Sequence, residues 1–409
     1  LRREISMKVL FAHNAYRQPG GEDAVVAAER ALLAEHGHTV SLHAASNDGI
    51  AGLPARIEAA IRAPHSTTAC DALARRLADE RPDVVHVHNF FPLLTPSLYD
   101  ACRAAGVAVV QTLHNYRLIC PAATLTRAGK PCELCVRGSA YQSVLYRCYR
   151  GSRLGTFAVA RMVERHRKRG TWHDRVDRFI ALTRFAKRKF VEGRVPAAKI
   201  AVKPNFFVER HGDGAPPAQR EGALFVGRLS AEKGLGTLIE AWRGIDLPLR
   251  IAGDGPLLDT LRATAPPSVS VLGPLGPAEV AAEMRRAAFL VLPSECYEGF
   301  PMVVAEAFGR GLPVIASRLG SLAEIVEDGV TGLHFTAGDR ADLAATARRA
   351  AGDADAIARM GAAARARYEE RYTADANYPM LLAIYEQAIA AAGAPEGAAA
   401  VAAEAAAGA

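Results

Sequence analysis

The stretch that decides the fold runs from Pro293 to Gly309 and has the sequence PSECYEGFPMVVAEAFG. It follows the apolar run from Phe289 to Pro293, which is typical of a buried strand, and its loop contains Gly299. Pro301 suits the first position of a helix because its φ angle is fixed near the helical value. We therefore predict a strand, a loop and a helix whose first backbone N–H groups can hold phosphate or sugar oxygens.

Two glutamates lie in this stretch, Glu298 in the loop and Glu306 eight residues later inside the helix. One carboxylate could accept hydrogen bonds from the hydroxyls of a sugar and the other from those of a ribose. Two ordinary surface glutamates would have the same spacing. The interpretation as a binding site therefore depends on the strand, loop and helix start around them.

Short β-branched runs alternate with segments of helical period along the whole chain, a pattern that builds parallel sheets from βαβ units. About six runs lie in each half: 8–13, 39–43, 83–88, 107–114, 178–183 and 200–204, then 223–228, 249–253, 268–272, 289–293, 313–317 and 332–335. We predict an α/β protein with two doubly wound Rossmann-like domains that face a central cleft, where ligands bind at the carboxyl ends of the strands.

The predicted first domain covers residues 1–207 and contains a cysteine-bearing insertion at about 117–150. Residues 208–221 are rich in glycine and proline and indicate an exposed linker. The predicted second domain covers residues 222–389 and ends in a helix that packs back across both domains. Residues 390–409 are low in complexity, which favours a disordered tail.

Charge is divided unevenly between the two halves. Residues 1–207 contain 32 basic and 17 acidic residues, whereas residues 208–409 contain 18 basic and 26 acidic residues. The excess is concentrated in residues 101–207 and suggests that the first half meets an anionic partner, which could be a phospholipid surface, a lipid diphosphate or nucleic acid. Of these, we expect an anionic membrane surface and no nucleic acid. A solvated basic face is the alternative.

The chain has no apolar run of the roughly 18 to 20 residues that a membrane helix needs, and its start lacks an apolar signal core. We expect a cytoplasmic protein, with peripheral attachment to the inner face of the membrane as the alternative location. In that compartment the seven cysteines are expected to be reduced.

Several motifs resemble those of family 4 glycosyltransferases, which have the GT-B fold. The stretch Glu298-Gly299-Phe300-Pro301 through Glu306 is similar to their Glu-x7-Glu motif. Residues 227–234, GRLSAEKG, resemble their Gly-Arg-Leu-x-x-x-Lys-Gly motif. Residues 252–256, AGDGP, and 311–317, GLPVIAS, resemble the strand-end loop and the strand that belong to the same domain.

The resemblance implies a retaining glycosyltransferase that moves a sugar from a nucleotide diphosphate sugar to a glycan or lipid-linked acceptor, in the assembly of cell-surface polysaccharide or glycolipid. It assigns the second domain to the donor and the first to the acceptor. Arg228 and Lys233 would grip the donor diphosphate, and two positioned cations can stabilise a leaving diphosphate without a metal. No cofactor is expected for catalysis.

The resemblance also implies residue roles around the donor. Glu298 and His114 would orient the sugar, and Glu306 would bind the ribose. The remaining predicted substrate-binding residues come from glycine loops and from the start of the helix: Gly20, Gly21, Gly253, Gly299, Phe300, Pro301, Met302 and Val303.

Three histidines lie near the ends of predicted strands. His114 ranks first because it matches the family's sugar-contacting histidine. His86 and His88 belong to one strand, where we expect them on opposite faces, and a satisfied role in the core is at least as plausible for either.

Two other functions stay open at this point. A sugar-nucleotide epimerase can share the fold, and a non-catalytic scaffold could bind glycans with it. The scaffold would be expected to lose charged site residues. The sequence instead keeps the expected residue types at all five positions with assigned roles: His114, Arg228, Lys233, Glu298 and Glu306.

Cys120, Cys132, Cys135 and Cys148 form the spacing Cys-x11-Cys-x2-Cys-x12-Cys. The close pair in the middle and the two outer cysteines could complete a tetrahedral, structural zinc site. Such a site would pin an insertion that has few large apolar residues to bury, at the acceptor side of the cleft. Four reduced thiols are the alternative, because the spacing is looser than in common zinc fingers.

Overall fold

The computed structural model describes residues 6–15, 20–50, 52–209 and 220–393. The strands of the first half, in chain order, are β1 Lys8–Ala15, β2 Thr39–Ser46, β3 Val84–Asn89, β4 Ala108–Leu113, β5 Thr126–Arg127, β6 Lys130–Pro131, β7 Arg178–Ala181 and β8 Ile200–Val202. Its helices are α1 Gly21–Glu35, α2 Gly52–Arg62, α3 Thr67–Glu80, α4 Ser97–Ala104, α5 Leu134–Arg137, α6 Gln142–Leu145, α7 Arg153–Lys168, α8 Thr171–Asp174 and α9 Arg184–Glu192.

The second half repeats the alternation of strands and helices. Its strands are β9 Ala223–Val226, β10 Leu249–Ala252, β11 Val269–Gly273, β12 Phe289–Leu292, β13 Val314–Ser317 and β14 Gly332–Phe335. Its helices are α10 Leu235–Trp242, α11 Leu258–Thr264, α12 Pro277–Arg286, α13 Met302–Gly309, α14 Leu322–Ile325, α15 Arg340–Ala351, α16 Ala354–Arg371 and α17 Ala374–Ala392. Short 3₁₀ turns occupy Asn47–Gly49, Ala197–Lys199 and Ala231–Lys233.

Each half contains one parallel six-stranded sheet. The strand order is β2-β1-β3-β4-β7-β8 in the first sheet and β11-β10-β9-β12-β13-β14 in the second. The order of the second sheet reverses between β9 and β12, as in the Rossmann fold. The prediction of two doubly wound α/β domains is confirmed, and each of the predicted β-branched runs overlaps one of these sheet strands.

Helices cover both faces of each sheet, which explains why the central strands are apolar along their whole length. Every residue of β3, β4, β12 and β13 is buried. Parallel strands buried on two faces lack the alternation of apolar and polar residues seen in half-exposed strands. This burial leaves the strand ends and the following loops as the places where polar side chains meet.

The two halves are joined by direct contacts. The carboxylate of Glu324 in the second half accepts hydrogen bonds from the backbone N–H groups of Arg184 and Phe185, at 2.7 Å each. Helix α17, at the end of the chain, buries Leu381, Tyr385 and other apolar residues together with the core of the first sheet. The second half therefore returns to cover a face of the first.

Two predicted segments fall mostly outside the described residues, namely positions 210–219 of the linker and 394–409 of the tail. Helix α17 continues to Ala392, past the predicted end at residue 389. Within the described ranges, no helix combines the length and apolar character needed to cross a bilayer.

Candidate active site

A cleft of about 410 Å³ lies between the two halves, at the carboxyl ends of strands from both sheets. In the second sheet it is bordered by the ends of β9 and β12, the neighbours at which the strand order reverses and where open α/β sheets bind ligands. The lining residues are Gly21, Glu22, His114, Leu182, Asn205, Phe225, Val226, Gly227, Lys233, Leu292, Ser294, Glu298, Phe300, Pro301, Met302, Val303 and Glu306. The structure therefore brings together predicted site residues that are far apart in the sequence.

Lys233 and Glu298 are paired directly in this cleft. Nζ of Lys233 donates a hydrogen bond to Oε1 of Glu298 at 2.6 Å, and Oγ of Ser294 donates to the same oxygen at 2.7 Å. Burial opposes the charged form of Lys233, but the Glu298 carboxylate outweighs it, so the pKa of Lys233 is raised. The cleft thus holds a cation whose charge is favoured by its surroundings.

Glu306 lies on α13 and lines the same cleft. Burial raises the pKa of its carboxyl group, and the positive charge of Arg310 acts in the opposite direction. Phe300, Pro301, Met302 and Val303 line the cleft beside it. This helix start offers backbone N–H groups next to an acceptor suited to hydroxyl groups.

The Gly20-Gly21 turn lies at the start of α1, where the first half reaches the cleft. The backbone N–H of Gly20 donates to Oδ2 of Asp23 at 2.8 Å, and Oδ1 of Asp23 lies 2.9 Å from Nε2 of His13. A Cβ atom on Gly21 would lie 3.5 Å from Cγ of Met302. Gly21 therefore borders the cleft opposite α13, while the N–H of Gly20 is already engaged within its own turn.

His114 follows β4 and lines the cleft from the first half. Its pKa is lowered to about 3 by burial and by the charges of His13 and Lys203, so the ring is neutral. A Cβ atom on Gly299 would come within 2.6 Å of the His114 carbonyl oxygen. Only glycine allows this approach, which places the backbone of His114 against the loop that carries Glu298.

A buried polar network lies behind His114. Nε2 of His114 lies 2.8 Å from Nδ1 of His88, and Nε2 of His88 lies 3.4 Å from Oε2 of Glu29. The other carboxylate oxygen of Glu29 accepts a hydrogen bond from Nζ of Lys203 at 2.8 Å, and the same ammonium donates to Asn377 Oδ1 at 2.6 Å. This chain of contacts runs from the cleft to α17.

The expectation that His86 and His88 face opposite sides of β3 is wrong. Their rings lie 4.1 Å apart, because side chains two residues apart in a strand share a face. His86 contacts Tyr385 OH and Thr112 Oγ1, at 2.7 and 2.8 Å. His86 thus has a satisfied place in the core, whereas His88 reaches the cleft residue His114.

Glu29, His86 and His88 also place their ligand atoms within 4.8 Å of one another, as a metal site would require. The Lys203 ammonium already neutralises this carboxylate, and both ring nitrogens of His86 have partners. A second cation would meet the charge of Lys203 at short range. The arrangement is therefore better described as a hydrogen-bonded network than as a metal site.

Four predicted site residues do not line the cleft in the described part of the chain: Arg228, Gly20, Gly253 and Gly299. Arg228 is exposed just after β9. Gly253 has φ of 144°, and a Cβ atom there would lie 1.9 Å from the carbonyl oxygen of Gly227. Gly253 thus allows two strand-end loops to touch, and the role of Arg228 toward a diphosphate stays a prediction.

Asn205 is a cleft residue that the sequence analysis did not identify. It is buried, it lines the cleft, and its Oδ1 atom has no hydrogen-bond partner among the described residues. A buried amide oxygen without a partner is unfavourable unless a ligand or water supplies one. Its position after β8 was the available indication, because ligands gather at the carboxyl ends of parallel strands.

The four clustered cysteines come together in the insertion of the first half. Burial raises the pKa of the Cys135 thiol to about 12, and Cys120, Cys148 and Cys132 add to the rise through their charges. Among the residues that the structure describes, no three of these sulfur atoms lie within 4.8 Å of one another. The structure thus gathers the thiols without the short spacing of a closed metal site.

The insertion also buries more apolar surface than expected. The side chains of Leu118, Ile119, Leu125 and Val136 are at most 3% exposed and belong to the core of the first half. The expectation of few large apolar residues to bury is therefore wrong. The cysteines are not the only anchor of this segment.

Comparison with known proteins identifies two family models in the chain. Residues 19–208 match the model described as Glycosyltransferase Family 4, and residues 220–353 match the model described as Glycosyl transferases group 1. A glycogen synthase of Mycobacterium tuberculosis is 37% identical over an alignment of 159 residues that covers 35% of this chain and 37% of that protein. The chain spans less than half the length of the first curated relatives it matches.

Two solved structures share the fold over nearly the whole chain. Sucrose-phosphate synthase from Thermosynechococcus elongatus is similar with a TM-score of 0.71 and 18% identity, over 94% of this chain and all of that one. Anabaena HepE, crystallised in complex with UDP, is similar with a TM-score of 0.61 and 18% identity, over 93% of this chain and 100% of that one. These likenesses show the GT-B fold.

Proposed function

Because the chain belongs to the family 4 glycosyltransferases of group 1, we propose that it transfers a sugar, with retention, from a nucleotide diphosphate sugar to a glycan or lipid-linked acceptor. The proposed setting is the assembly of cell-surface polysaccharide or glycolipid. The observation that carries the proposal is the cleft itself, in which Lys233, Glu298, Glu306 and His114 converge. These are the groups that a charged leaving diphosphate and two sets of hydroxyls require.

The donor would lie across the second half, with its nucleotide along α13. Glu306 would accept hydrogen bonds from the ribose, and its half-buried carboxyl group suits this role because nearby apolar residues exclude water. The ammonium of Lys233 would meet the diphosphate, and Arg228 would approach it from the exposed side. Nucleotides with uracil are the first to test, since HepE was crystallised with UDP.

The reaction would break the bond between the anomeric carbon and the diphosphate oxygen and form a bond to the acceptor oxygen on the same face. The acceptor proton would pass to an oxygen of the departing diphosphate. Lys233 and Arg228 would stabilise the negative charge that develops on this oxygen. Stabilisation of developing charge by fixed groups is usually the largest single contribution to catalysis. Oε1 of Glu298 is held by Lys233 and Ser294, which supports a positioning role for this carboxylate.

The proposal is tested with the full chain and a panel of UDP, GDP, ADP and their sugars. A nucleotide at about 100 times its dissociation constant should stabilise the protein by roughly 2.7 kcal/mol. The stabilising nucleotide sugar is then incubated with the protein in water, and the products are separated. Slow release of nucleoside diphosphate and free sugar supports a transferase, an isomerised sugar identifies an epimerase, and stabilisation without any product points to a scaffold.

A second part of the proposal concerns the membrane. Four large apolar side chains on two contacting helices are 49% to 84% exposed, and we call them together the apolar patch: Ile57 and Ile61 on α2, and Leu154 and Phe157 on α7. Arg161 links the two helices, because its Nη2 atom donates to the carbonyl oxygen of Ile61 at 2.8 Å. Within each helix these residues are spaced by three or four positions and so share a face.

Exposed basic residues lie on the same two helices as the apolar patch, among them Arg62, Arg153, Arg161, Arg165 and Lys168. Other members of the predicted basic stretch point inward: Lys203 and Lys199 donate to buried partners, and Arg167 donates to the carbonyl oxygens of Gly138 and Cys135. The patch and its exposed arginines are therefore the proposed contact with an anionic membrane surface, where a lipid-linked acceptor would be available.

A third part concerns the cysteine cluster, which we propose binds one structural zinc ion. Backbone N–H groups of Leu125, Ala122 and Ala123 lie close enough to Cys120 to favour its thiolate, although burial raises the pKa of the thiol overall. Zn–S bonds of about 2.3 Å imply sulfur atoms roughly 3.8 Å apart. Zinc would draw the four sulfurs closer than they are in this structure and offset the cost of ionising them.

A further inference from the structure

The inference concerns two buried atoms that face each other behind the cleft. Nε2 of His88 and Oε2 of Glu29 lie 3.4 Å apart, and both side chains are fully buried. Neither atom has a hydrogen-bond partner among the described residues, and the 3.4 Å contact between them is not itself aligned as a hydrogen bond. Buried polar atoms are nearly always satisfied, so this contact is where a proton is expected.

The identity of the facing atoms determines where the proton of His88 lies. Burial holds the pKa of His88 well below its usual value, so its neutral ring carries one proton. A carboxylate oxygen can only accept a hydrogen bond. A lone pair on Nε2 would face the lone pairs of Glu29, whereas a proton on Nε2 gives an attractive contact. The proton therefore lies on Nε2, and Nδ1 is an acceptor.

The tautomer of His114 follows from that of His88. Nδ1 of His88 lies 2.8 Å from Nε2 of His114. Since Nδ1 of His88 accepts, Nε2 of His114 must donate, and the single proton of the neutral His114 ring is then on Nε2. The remaining nitrogen, Nδ1, keeps its lone pair.

We infer that Glu29, acting through His88, holds His114 in one tautomer, so that the cleft presents an acceptor nitrogen that selects a hydroxyl donor on the transferred sugar. This inference rests on the proposed function for the identity of the ligand. Glu29 and His88 are positioning residues in it, and His114 is the group that touches the sugar.

Lys203 fixes the orientation of the Glu29 carboxylate. Its ammonium binds Oε1 of Glu29 at 2.8 Å and Asn377 at 2.6 Å, and the lysine is fully buried. The ion pair orients the carboxylate and leaves Oε2 toward His88. A buried ion pair of this kind gives little net stability, which makes a role in orientation the better reason for its presence.

His86 provides a matched control. It belongs to the same strand, it is equally buried, and its Nδ1 lies 3.7 Å from the same Oε2 of Glu29. Its ring nitrogens are engaged by Tyr385 and Thr112, however, and it does not lie between Glu29 and His114. Its conservative replacement should leave the tautomer of His114 unchanged.

The first test observes the tautomer directly by NMR of ¹⁵N-labelled histidine rings in the full chain, with His114 assigned by comparison with the His114→Gln variant. The wild type should show His114 protonated on Nε2, Glu29→Gln should give a mixture, and His86→Asn should match the wild type. A proton on Nδ1 in the wild type, or an unchanged tautomer in Glu29→Gln, overturns the inference. Glu29→Gln combined with Lys203→Met removes both buried charges and serves if the single variant does not fold.

The second test measures function. Asparagine can place an oxygen where His88 has Nδ1, so His88→Asn should keep most of the activity, whereas His88→Leu should lower kcat/KM by about 10- to 100-fold, as loss of a supporting hydrogen bond typically does. Nucleoside diphosphate affinity should change less than about twofold in both. Equal losses in the two variants, or a parallel loss of nucleotide affinity, would show a merely structural role.

Donor analogues extend the second test to specificity. In a series of donors that each have one sugar hydroxyl replaced by fluorine, one analogue should have a low kcat/KM with the wild type, because fluorine cannot donate a hydrogen bond to Nδ1. In His114→Ala the same analogue should cause no further decrease in kcat/KM. An equal penalty in both proteins contradicts the acceptor role. If no donor is turned over while the tautomer is as expected, the proposed function fails and the assignment of the protons stands.

Discussion

Nζ of Lys233 lies 2.6 Å from Oε1 of Glu298, so the cation expected to meet the donor diphosphate is held by a carboxylate of the same cleft. The pair joins the loop after β9 to the loop after β12. Donor binding would place a diphosphate beside Lys233 and a sugar beside Glu298, so this one contact would position the groups for two parts of the substrate.

The first prediction concerns Lys233→Ala. We expect kcat to fall about 10²- to 10³-fold, because a fixed charge that stabilises the developing negative charge is lost. The fold should be checked by thermal unfolding, since the variant leaves Glu298 without its ion partner. Lys8→Ala, which removes an exposed lysine at the amino end of β1, opposite the strand ends that border the cleft, is the control and should retain full activity.

Arg228→Ala tests the same role more cleanly, because Arg228 is exposed and its removal leaves no buried partner behind. We expect reduced turnover with little change in stability. Wild-type turnover in this variant would remove Arg228 from the diphosphate site while leaving the assignment of Lys233 intact.

The second prediction concerns Glu306 and pH. Burial raises the pKa of this carboxyl group in the folded chain, so the folded state holds its proton more tightly than the unfolded chain does. Stability from this group is therefore present below its usual pKa and is lost as pH rises through the raised value. Ribose binding needs the ionised acceptor, so nucleotide affinity should fall on acidification through that same value.

Isothermal titration across the acidic range checks this behaviour. Glu306→Ala should weaken nucleotide binding by about 10- to 100-fold, the range expected for loss of a hydrogen bond to a charged group. Glu306→Gln should flatten the acidic pH dependence. Unchanged affinity in Glu306→Ala would count against the ribose assignment.

The sequence predicted the sheets well and the network behind His114 poorly. Buried parallel strands such as β12 and β13 are short apolar runs with a proline directly at one end, so local composition is enough to place them. Glu29 lies in a helix among alanines and Lys203 lies 174 positions away, so nothing local reveals that they pair. Such contacts depend on how α1, β3, β8 and α17 pack, which no single segment encodes.

The residues of the cleft could be predicted from the sequence only in part. Glu298, Glu306 and Lys233 were identified because each belongs to a motif of local spacing. Asn205 was missed because one asparagine after a strand is common, and its importance comes from an oxygen that the fold leaves without a partner. The burial of Leu118 and Ile119 in the insertion likewise depends on neighbours supplied by the first core.

The third prediction is that transfer needs no added divalent cation, because the cationic side chains would do the work that a metal does in other transferases. Activity should persist in a chelator that removes Mg²⁺ and Mn²⁺ from solution. Loss of activity that either ion restores, in protein shown by circular dichroism to stay folded, would contradict the prediction.

The fourth prediction concerns the apolar patch. The full chain should sediment with anionic vesicles at low salt and much less with neutral vesicles, because each basic group near an anionic surface contributes about 1 kcal/mol. Leu154→Ser with Phe157→Ser should weaken the binding, whereas Val330→Ser, at an exposed apolar residue of the second half, should not. Equal recovery on both kinds of vesicle would dispose of the proposal.

The last prediction concerns zinc in the cysteine cluster, which lies close to a loop of the cleft. Glu133, next to Cys132, accepts hydrogen bonds from Tyr297 OH at 3.0 Å and contacts Nζ of Lys189 at 2.9 Å. Burial and this carboxylate raise the pKa of Tyr297 to about 12. Tyr297 precedes Glu298, so the cluster is connected to the loop that carries a candidate catalytic residue.

Elemental analysis of protein purified without added metal should find about one zinc per chain, and Cys148→Ser should lower it while Cys70→Ser, at a cysteine outside the cluster, should not. Removing zinc should increase hydrogen exchange in residues 117–150, because zinc binding is linked to the folding of its ligands. Nucleotide affinity should survive, since Glu306 and Lys233 belong to the second half. Well under one zinc per chain, with four thiols that titrate freely in the native state, would instead establish the cluster as reduced cysteines held by the apolar packing of Leu125 and Val136.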